Sequence, residues 1–161
     1  MNEFINKYNK LFLTSIVALG LILRFYILGS NPPSLNWDEV STGYNAYSIL
    51  KTGKDEYGNF LPLSIRSFDD YKPPLYTYLA VPSIAVFGLN DFAVRLPSAV
   101  FGTLTIIILY FLACELLSKW SKDQNLKKHK ESIAHVSAFL FAVNPWSLQF
   151  SRAADEPNIA L

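Results

Sequence analysis

Several signatures of common function classes are missing from this sequence. It has a single cysteine, Cys114, so an intrachain disulfide is excluded, and its place inside an apolar run reads as a small packed hydrophobe. The two histidines, His129 and His135, have no cysteine or second histidine at ligand spacing, so no metal site is expected on them. The net charge is only +1, which provides no large basic field, and there is no zinc-finger, Walker or dinucleotide fingerprint. Nucleic acid is therefore not an expected partner.

What the chain does have is apolar length. Its 161 residues are 51% hydrophobic and 15% aromatic, with a mean hydropathy of +0.21, a balance that suits a membrane protein. Three runs are candidate spans, at residues 11–28, 96–117 and 133–150. The first is long for the core of a cleaved signal peptide and no small-x-small cleavage pattern follows it, so an uncleaved anchor is expected. Arg24 lies near its outer end, where snorkelling to the interface is the simplest expectation. A fourth run, Leu75 to Leu89, is only about fifteen residues long and is broken by Pro82, which fits an interfacial segment.

Charge asymmetry then sets the topology. Lys7 and Lys10 precede the first run, and Lys119, Lys122, Lys127, Lys128 and Lys130 fill the loop at about 118–132. If residues 75–89 lie along the surface, both basic segments fall on the cytoplasmic side, as the positive-inside bias requires. Residues 29–95 and everything after Phe150 then lie outside. Asp38, Glu39, Lys72, Arg152, Asp155 and Glu156 thereby share one face of the membrane.

Asn36-Trp37-Asp38-Glu39 has the spacing of a capping box, and Val40, Tyr44, Tyr47 and Leu50 recur at helical intervals up to a stop at Gly53. Two acids in a first helical turn also complement the helix dipole without any chemistry. As a chemical group, Asp38 is a candidate general base, partly desolvated by Trp37 and the aromatic face of its helix. Lys72 is the natural counter-charge, flanked by Tyr71 and stiffened by Pro73-Pro74 at headgroup level, although an ordinary lipid contact reads equally well. A base beside a phosphate-holding cation suits transfer from a lipid phosphate donor. Asp55, Glu56, Asp69 and Asp70 could add to a cation site, but as a turn and loop cluster they read more simply as solvated.

The ordered series of a first span, Trp-Asp-Glu, Gly-Lys-Asp-Glu-Tyr-Gly-Asn, Asp-Tyr-Lys-Pro-Pro-Leu-Tyr and Phe-Ala-Val-Arg-Leu-Pro-Ser-Ala resembles bacterial membrane glycosyltransferases of the protein O-mannosyltransferase type. The lipid A aminoarabinose transferases are similar relatives. The resemblance covers about Leu19 to Leu161 and implies an all-α integral membrane protein with the GT-C fold, at the plasma (inner) membrane, multi-pass and with its active face external. It implies a polyprenyl-phosphate-linked sugar as donor, an acceptor protein, lipid or glycan, and leaves a divalent cation open.

By the same resemblance, Asp38 matches the family's catalytic acid with Glu39, its usual neighbour, grouped with it. Lys72 is the lysine on the donor phosphate with Tyr71 and Arg152 as further phosphate-binding candidates, and Ser151-Arg152 is a Ser-Arg run followed by another acid. Two acids compete for that last role, Asp155 and Glu156. The offset from Arg152 favours Glu156, and many relatives carry an apolar residue at the earlier position. Family members continue through many more spans, so the chain is expected to be the amino-terminal portion of such an enzyme. The alternatives are a non-catalytic membrane remnant or an assembly subunit. A small channel or transporter is disfavoured, because the long apolar runs hold only Arg24 and Glu115, both near ends.

Overall fold

The computed structural model describes residues 2–68, 70–121 and 123–154, with side chains from residue 8. In chain order the elements are α1 (Asn2–Phe25), α2 (Trp37–Thr52), a hairpin of β1 (Ile65–Ser67) and β2 (Asp70–Lys72), α3 (Leu75–Phe87), α4 (Asp91–Lys119), α5 (Gln124–Lys128), α6 (Lys130–Val143) and α7 (Pro145–Ser151). The fold is mostly helical, and the hairpin is a departure from the all-α expectation. Its register is Ile65 to Lys72, Arg66 to Tyr71 and Ser67 to Asp70.

Two helices are long and apolar enough to cross a membrane, α1 through residues 8–25 and α4. Phe12 and Ile22 on α1, and Ile108 and Phe111 on α4, are exposed, so much of their apolar surface has no partner among the described residues. The third expected span is not one helix. Pro145 lacks an N–H and drives the preceding residue out of the helical region, and Asn144 is accordingly extended at φ −63°, ψ 124°. Its side chain then caps α7, accepting from Trp146 N at 2.9 Å and Ser147 N at 3.3 Å. The 14 residues of α6 rise about 21 Å at 1.5 Å each, short of the ~30 Å of a hydrocarbon core.

α2 opens with the capping box that its sequence predicts. Asn36 Oδ1 accepts from Glu39 N at 2.8 Å and Glu39 Oε2 from Asn36 N at 3.0 Å, while Gly53 closes the helix at φ 71°. Its aromatic stripe faces away from the protein. Tyr44, Tyr47 and Val40 are exposed, whereas Ser41, Thr42, Asn45, Ala46 and Ile49 are buried against the rest of the fold.

α3 has 13 residues and packs on the first turns of α4, where Tyr76 Oη donates to Val94 O at 3.0 Å. Pro97 deprives Ala93 O of its helical donor, and Ser83 Oγ, 2.5 Å away, replaces it. One core cluster lies here, around Ala46, Tyr76, Ile84 and Val94. A second lies among α1, α4 and α6, where Ala134, Ala138 and Ala142 form one small-residue face that lets backbones approach.

Arg24 does not snorkel. It is fully buried, and its guanidinium joins α1 to the α6–α7 break, donating to Ala142 O at 3.1 Å, Ser147 Oγ at 2.7 Å and Ser151 Oγ at 3.2 Å. Ala142 O is one of the carbonyls that the end of α6 leaves without a helical donor. Gly102 of α4 makes room for this junction, because a Cβ there would lie 2.1 Å from Ser151 Oγ and 3.1 Å from Arg24 Nε.

Two substitutions test the junction by thermal unfolding of the purified protein in detergent. Arg24→Ala orphans Ala142 O and is expected to cost about 1–3 kcal/mol. Gly102→Ala overpacks the same place and is expected to cost about 1–3 kcal/mol. An unchanged midpoint in both variants would show that the junction contributes nothing to stability.

Candidate active site

The two neighbouring acids Asp38 and Glu39 are sent to different environments by the helical turn they share. Glu39 points inward, with 3% of its surface exposed, and meets Arg95 of α4. Arg95 Nε donates to Glu39 Oε1 at 2.9 Å and Nη2 to Oε2 at 3.2 Å. The remaining Arg95 donors go to Leu28 O, Pro32 O and Ser34 O at 3.2, 2.8 and 2.7 Å, so the α1–α2 connection is gathered around this one guanidinium. Glu39 Oε1 also accepts from Ala154 N at 2.8 Å, which ties the chain beyond α7 to the first turn of α2.

Burial by itself pushes the Glu39 carboxyl up. The hydrogen bonds from Arg95, Ala154 N and Asn36 N, together with the Arg95 charge, outweigh it and hold the group below its ordinary value.

Asp38 sits at the rim of the same turn. Its carboxylate is paired with Lys72 Nζ, and the side chains are 48% and 16% exposed respectively. The hairpin delivers the lysine. Ser67 Oγ donates to Ser41 Oγ at 2.5 Å, one turn along α2 from Asp38, and the Phe68 ring lies 6.2 Å from that of Trp37. Ile65, which pairs with Lys72 in the register, is buried and anchors the hairpin. Successive strand residues face opposite ways, so Tyr71 does not share a face with Lys72, and it is exposed. The cation is therefore presented by the hairpin's docking, without Tyr71.

Arg152 is placed as a backbone clamp. Its Nη1 donates to Leu23 O at 2.7 Å, and its Nη2 to Tyr26 O and Asn31 O, both at 2.8 Å, so it covers the last carbonyls of α1. Desolvation, and secondarily the Arg95 charge, lower its pKa. Asp155 and Glu156 lie outside the described residues, as does Asp69.

Asp55 departs from the solvated reading. It is buried and accepts from Tyr57 N, Asn59 N and Asn59 Nδ2 at 3.0, 2.8 and 2.9 Å, which makes it the organiser of its own turn. Glu56 and Asp70 are exposed, as expected. Among the described residues no three His, Cys, Asp or Glu side chains stand together in a metal-holding group.

The structure thus brings a half-exposed carboxylate and a partly buried ammonium together on a rigid base fixed by Glu39 and Arg95. Residues 71–122 match the family of dolichyl-phosphate-mannose-protein mannosyltransferases. The match covers about a third of the chain, beginning at Tyr71-Lys72 and running through α3 and α4, and it includes Arg95. No curated protein and no solved structure matches the chain. The mannosyltransferase-like match points to glycosyltransferase activity, and with the two apolar helices it marks a membrane protein.

Arg95 is the residue that the sequence reading gave no role. The one signal for it was an arginine in the opening turns of an otherwise apolar helix, inside the Phe-Ala-Val-Arg-Leu-Pro motif.

Glu39→Ala strands a buried guanidinium and is expected to cost about 3–5 kcal/mol of stability. Asp38→Ala breaks a half-exposed pair and is expected to cost no more than about 1 kcal/mol. Thermal unfolding of both variants checks the contrast, and equal losses would contradict it. Because Glu39 titrates lower in the folded protein than in the unfolded chain, its stabilisation is complete above the ordinary carboxylate value. It is lost as pH falls through the lowered folded value, so the acid limb of a stability profile should flatten in Glu39→Gln.

Proposed function

We propose that this chain forms part of a membrane glycosyltransferase that moves a sugar from a polyprenyl phosphate to a hydroxyl acceptor at the outer face of the membrane. The pairing of Asp38 with Lys72 carries the reading, since Lys72 stands at the start of the mannosyltransferase-like segment and Asp38 is the acid it meets. Glu39 and Arg152, spent on buried and backbone contacts, position this pair, and Asp155 or Glu156 is the further acid of the site.

In this reading a donor phosphate oxygen competes for the Lys72 ammonium and releases Asp38 from its ion pair. Asp38 then takes the proton of the acceptor hydroxyl as its oxygen attacks the anomeric carbon, and the carbon–oxygen bond to phosphate breaks. The phosphate leaves as an anion beside Lys72, whose charge stabilises it more in the transition state than in the bound donor. Direct displacement inverts the anomeric centre.

The topology belongs to the same proposal. α1, α4 and the composite of α6 and α7 cross the membrane, α3 lies at the interface, and the basic loop around α5 is cytoplasmic. The break at Asn144 lets α7 carry Arg152 back over the end of α1. Single cysteines at Asn59 and Asn125, in a Cys114→Ala background, are expected to react with an impermeant thiol reagent from opposite sides. Reaction from one side only would overturn this topology.

For the chemistry, transfer from a polyprenyl-phosphate sugar is measured in membranes. Asp38→Asn keeps size but removes basicity, and is expected to lower kcat by roughly 10²- to 10⁴-fold with little change in donor binding. Lys72→Ala should raise the donor KM and lower kcat together, because the cation acts on both donor and leaving group. Unchanged turnover in a folded Asp38→Asn protein would reduce the pair to a structural latch.

A further inference from the structure

A cavity of about 340 Å³ lies on the inward side of the turn that carries Asp38. One wall is the 32–35 loop, and the other is a single face of α7 and the residues after it, with Trp146, Gln149 and Phe150 as its side chains. Trp146 is 70% exposed and its ring lies nearly parallel to that of Phe150, with centroids 5.7 Å apart and an interplanar angle of 17°. Phe150 thus backs the indole, and the exposed Trp146 ring offers an aromatic platform at the cavity edge.

The polar groups around this platform are neutral in effect. Among the described residues Glu39 is the one charged residue lining the cavity, and its carboxylate is already matched by Arg95 and two backbone N–H groups. The Gln149 amide is exposed and has both donors and an acceptor to offer, and the Asn36 amide nitrogen remains after its oxygen is used in the helix cap. A phosphate meets no free cation among the described lining residues. A lipid tail would find the amides and a volume at the small end of the ~300–1,000 Å³ of ligand sites.

We propose that this cavity is a subsite for an uncharged pyranose ring, stacked by its C–H face on Trp146 and held through its hydroxyls by Gln149 and Asn36. The proposal rests on the glycosyltransferase reading, and places the ring against Asn36 and Glu39, in the turn that also carries Asp38. The same chemistry serves either the sugar on the lipid donor or a sugar of an acceptor glycan.

The test is saturation-transfer NMR with methyl α-D-mannopyranoside on the full chain in detergent. Trp146→Ala is expected to weaken binding by roughly ten-fold, as truncation of an anchoring tryptophan does. Trp146→Phe should retain most of the signal, and Gln149→Ala, which alters an exposed residue, should lose part of it. Trp120→Ala, at another exposed tryptophan, should change nothing. A sugar signal that is absent from the unaltered protein, or that survives Trp146→Ala, overturns the subsite and leaves Trp146 as a membrane-interface anchor.

Asp38→Asn separates this proposal from the one it rests on, since it should lower transfer by the same roughly 10²- to 10⁴-fold while leaving the sugar signal intact. In the transfer assay, a KM raised by Trp146→Ala for the donor assigns the ring to the lipid-linked sugar. A raised acceptor KM assigns it to the glycan, and no change in either KM counts against the subsite.

Discussion

Glu39 and Arg95 meet where almost no water reaches either of them, and each is worth keeping buried only while the other is there. Around this pair the fold gathers segments far apart in sequence. Arg95 draws in the backbone of residues 28–34, and Glu39 holds both the cap of α2 and the N–H of Ala154. Asp38 takes its place from this arrangement. A carboxylate beside a fully satisfied neighbour, on a turn that cannot shift without stranding a charge, is held in position without giving up its own exposure.

The same economy recurs at three other helix breaks and ends. Pro97 frees a carbonyl that Ser83 covers, Pro145 ends α6 where Arg24 reaches Ala142 O, and the end of α1 is covered by Arg152. In each case a side chain from another element meets the backbone group that the break exposed, so the interruptions become the joints between helices.

Local features were legible in the sequence. The Asn36 to Glu39 spacing and Gly53 fixed both ends of α2 because a cap involves neighbours only, and the apolar run at 96–117 marked the body of α4, though the helix starts five residues earlier at Asp91. The Asn144-Pro145 pair also carried a readable local signal, yet the surrounding hydrophobicity masked it. What the sequence could not show was partnership over distance. Arg95 lies 56 positions from Glu39, and the burial of Arg24 depends on hydroxyls more than a hundred positions away. The aromatic stripe of α2 was readable as periodicity, but only the packing showed that its small polar face is the one turned inward.

Arg24 also constrains the order in which the chain can be assembled. Its bonds to α6 and α7 cannot form until residues 118 to 127 positions further along have been made. Until then α1 holds a guanidinium whose outside partners do not exist, a burden of about 2.5–3.5 kcal/mol for a charge at the centre of an inserted helix and less near its end. In the proposed topology α1 therefore enters the bilayer incompletely satisfied, and synthesis of α6 and α7 completes it. Segments more than a hundred positions apart, α1 and the α6–α7 joint, thus become satisfied in one step.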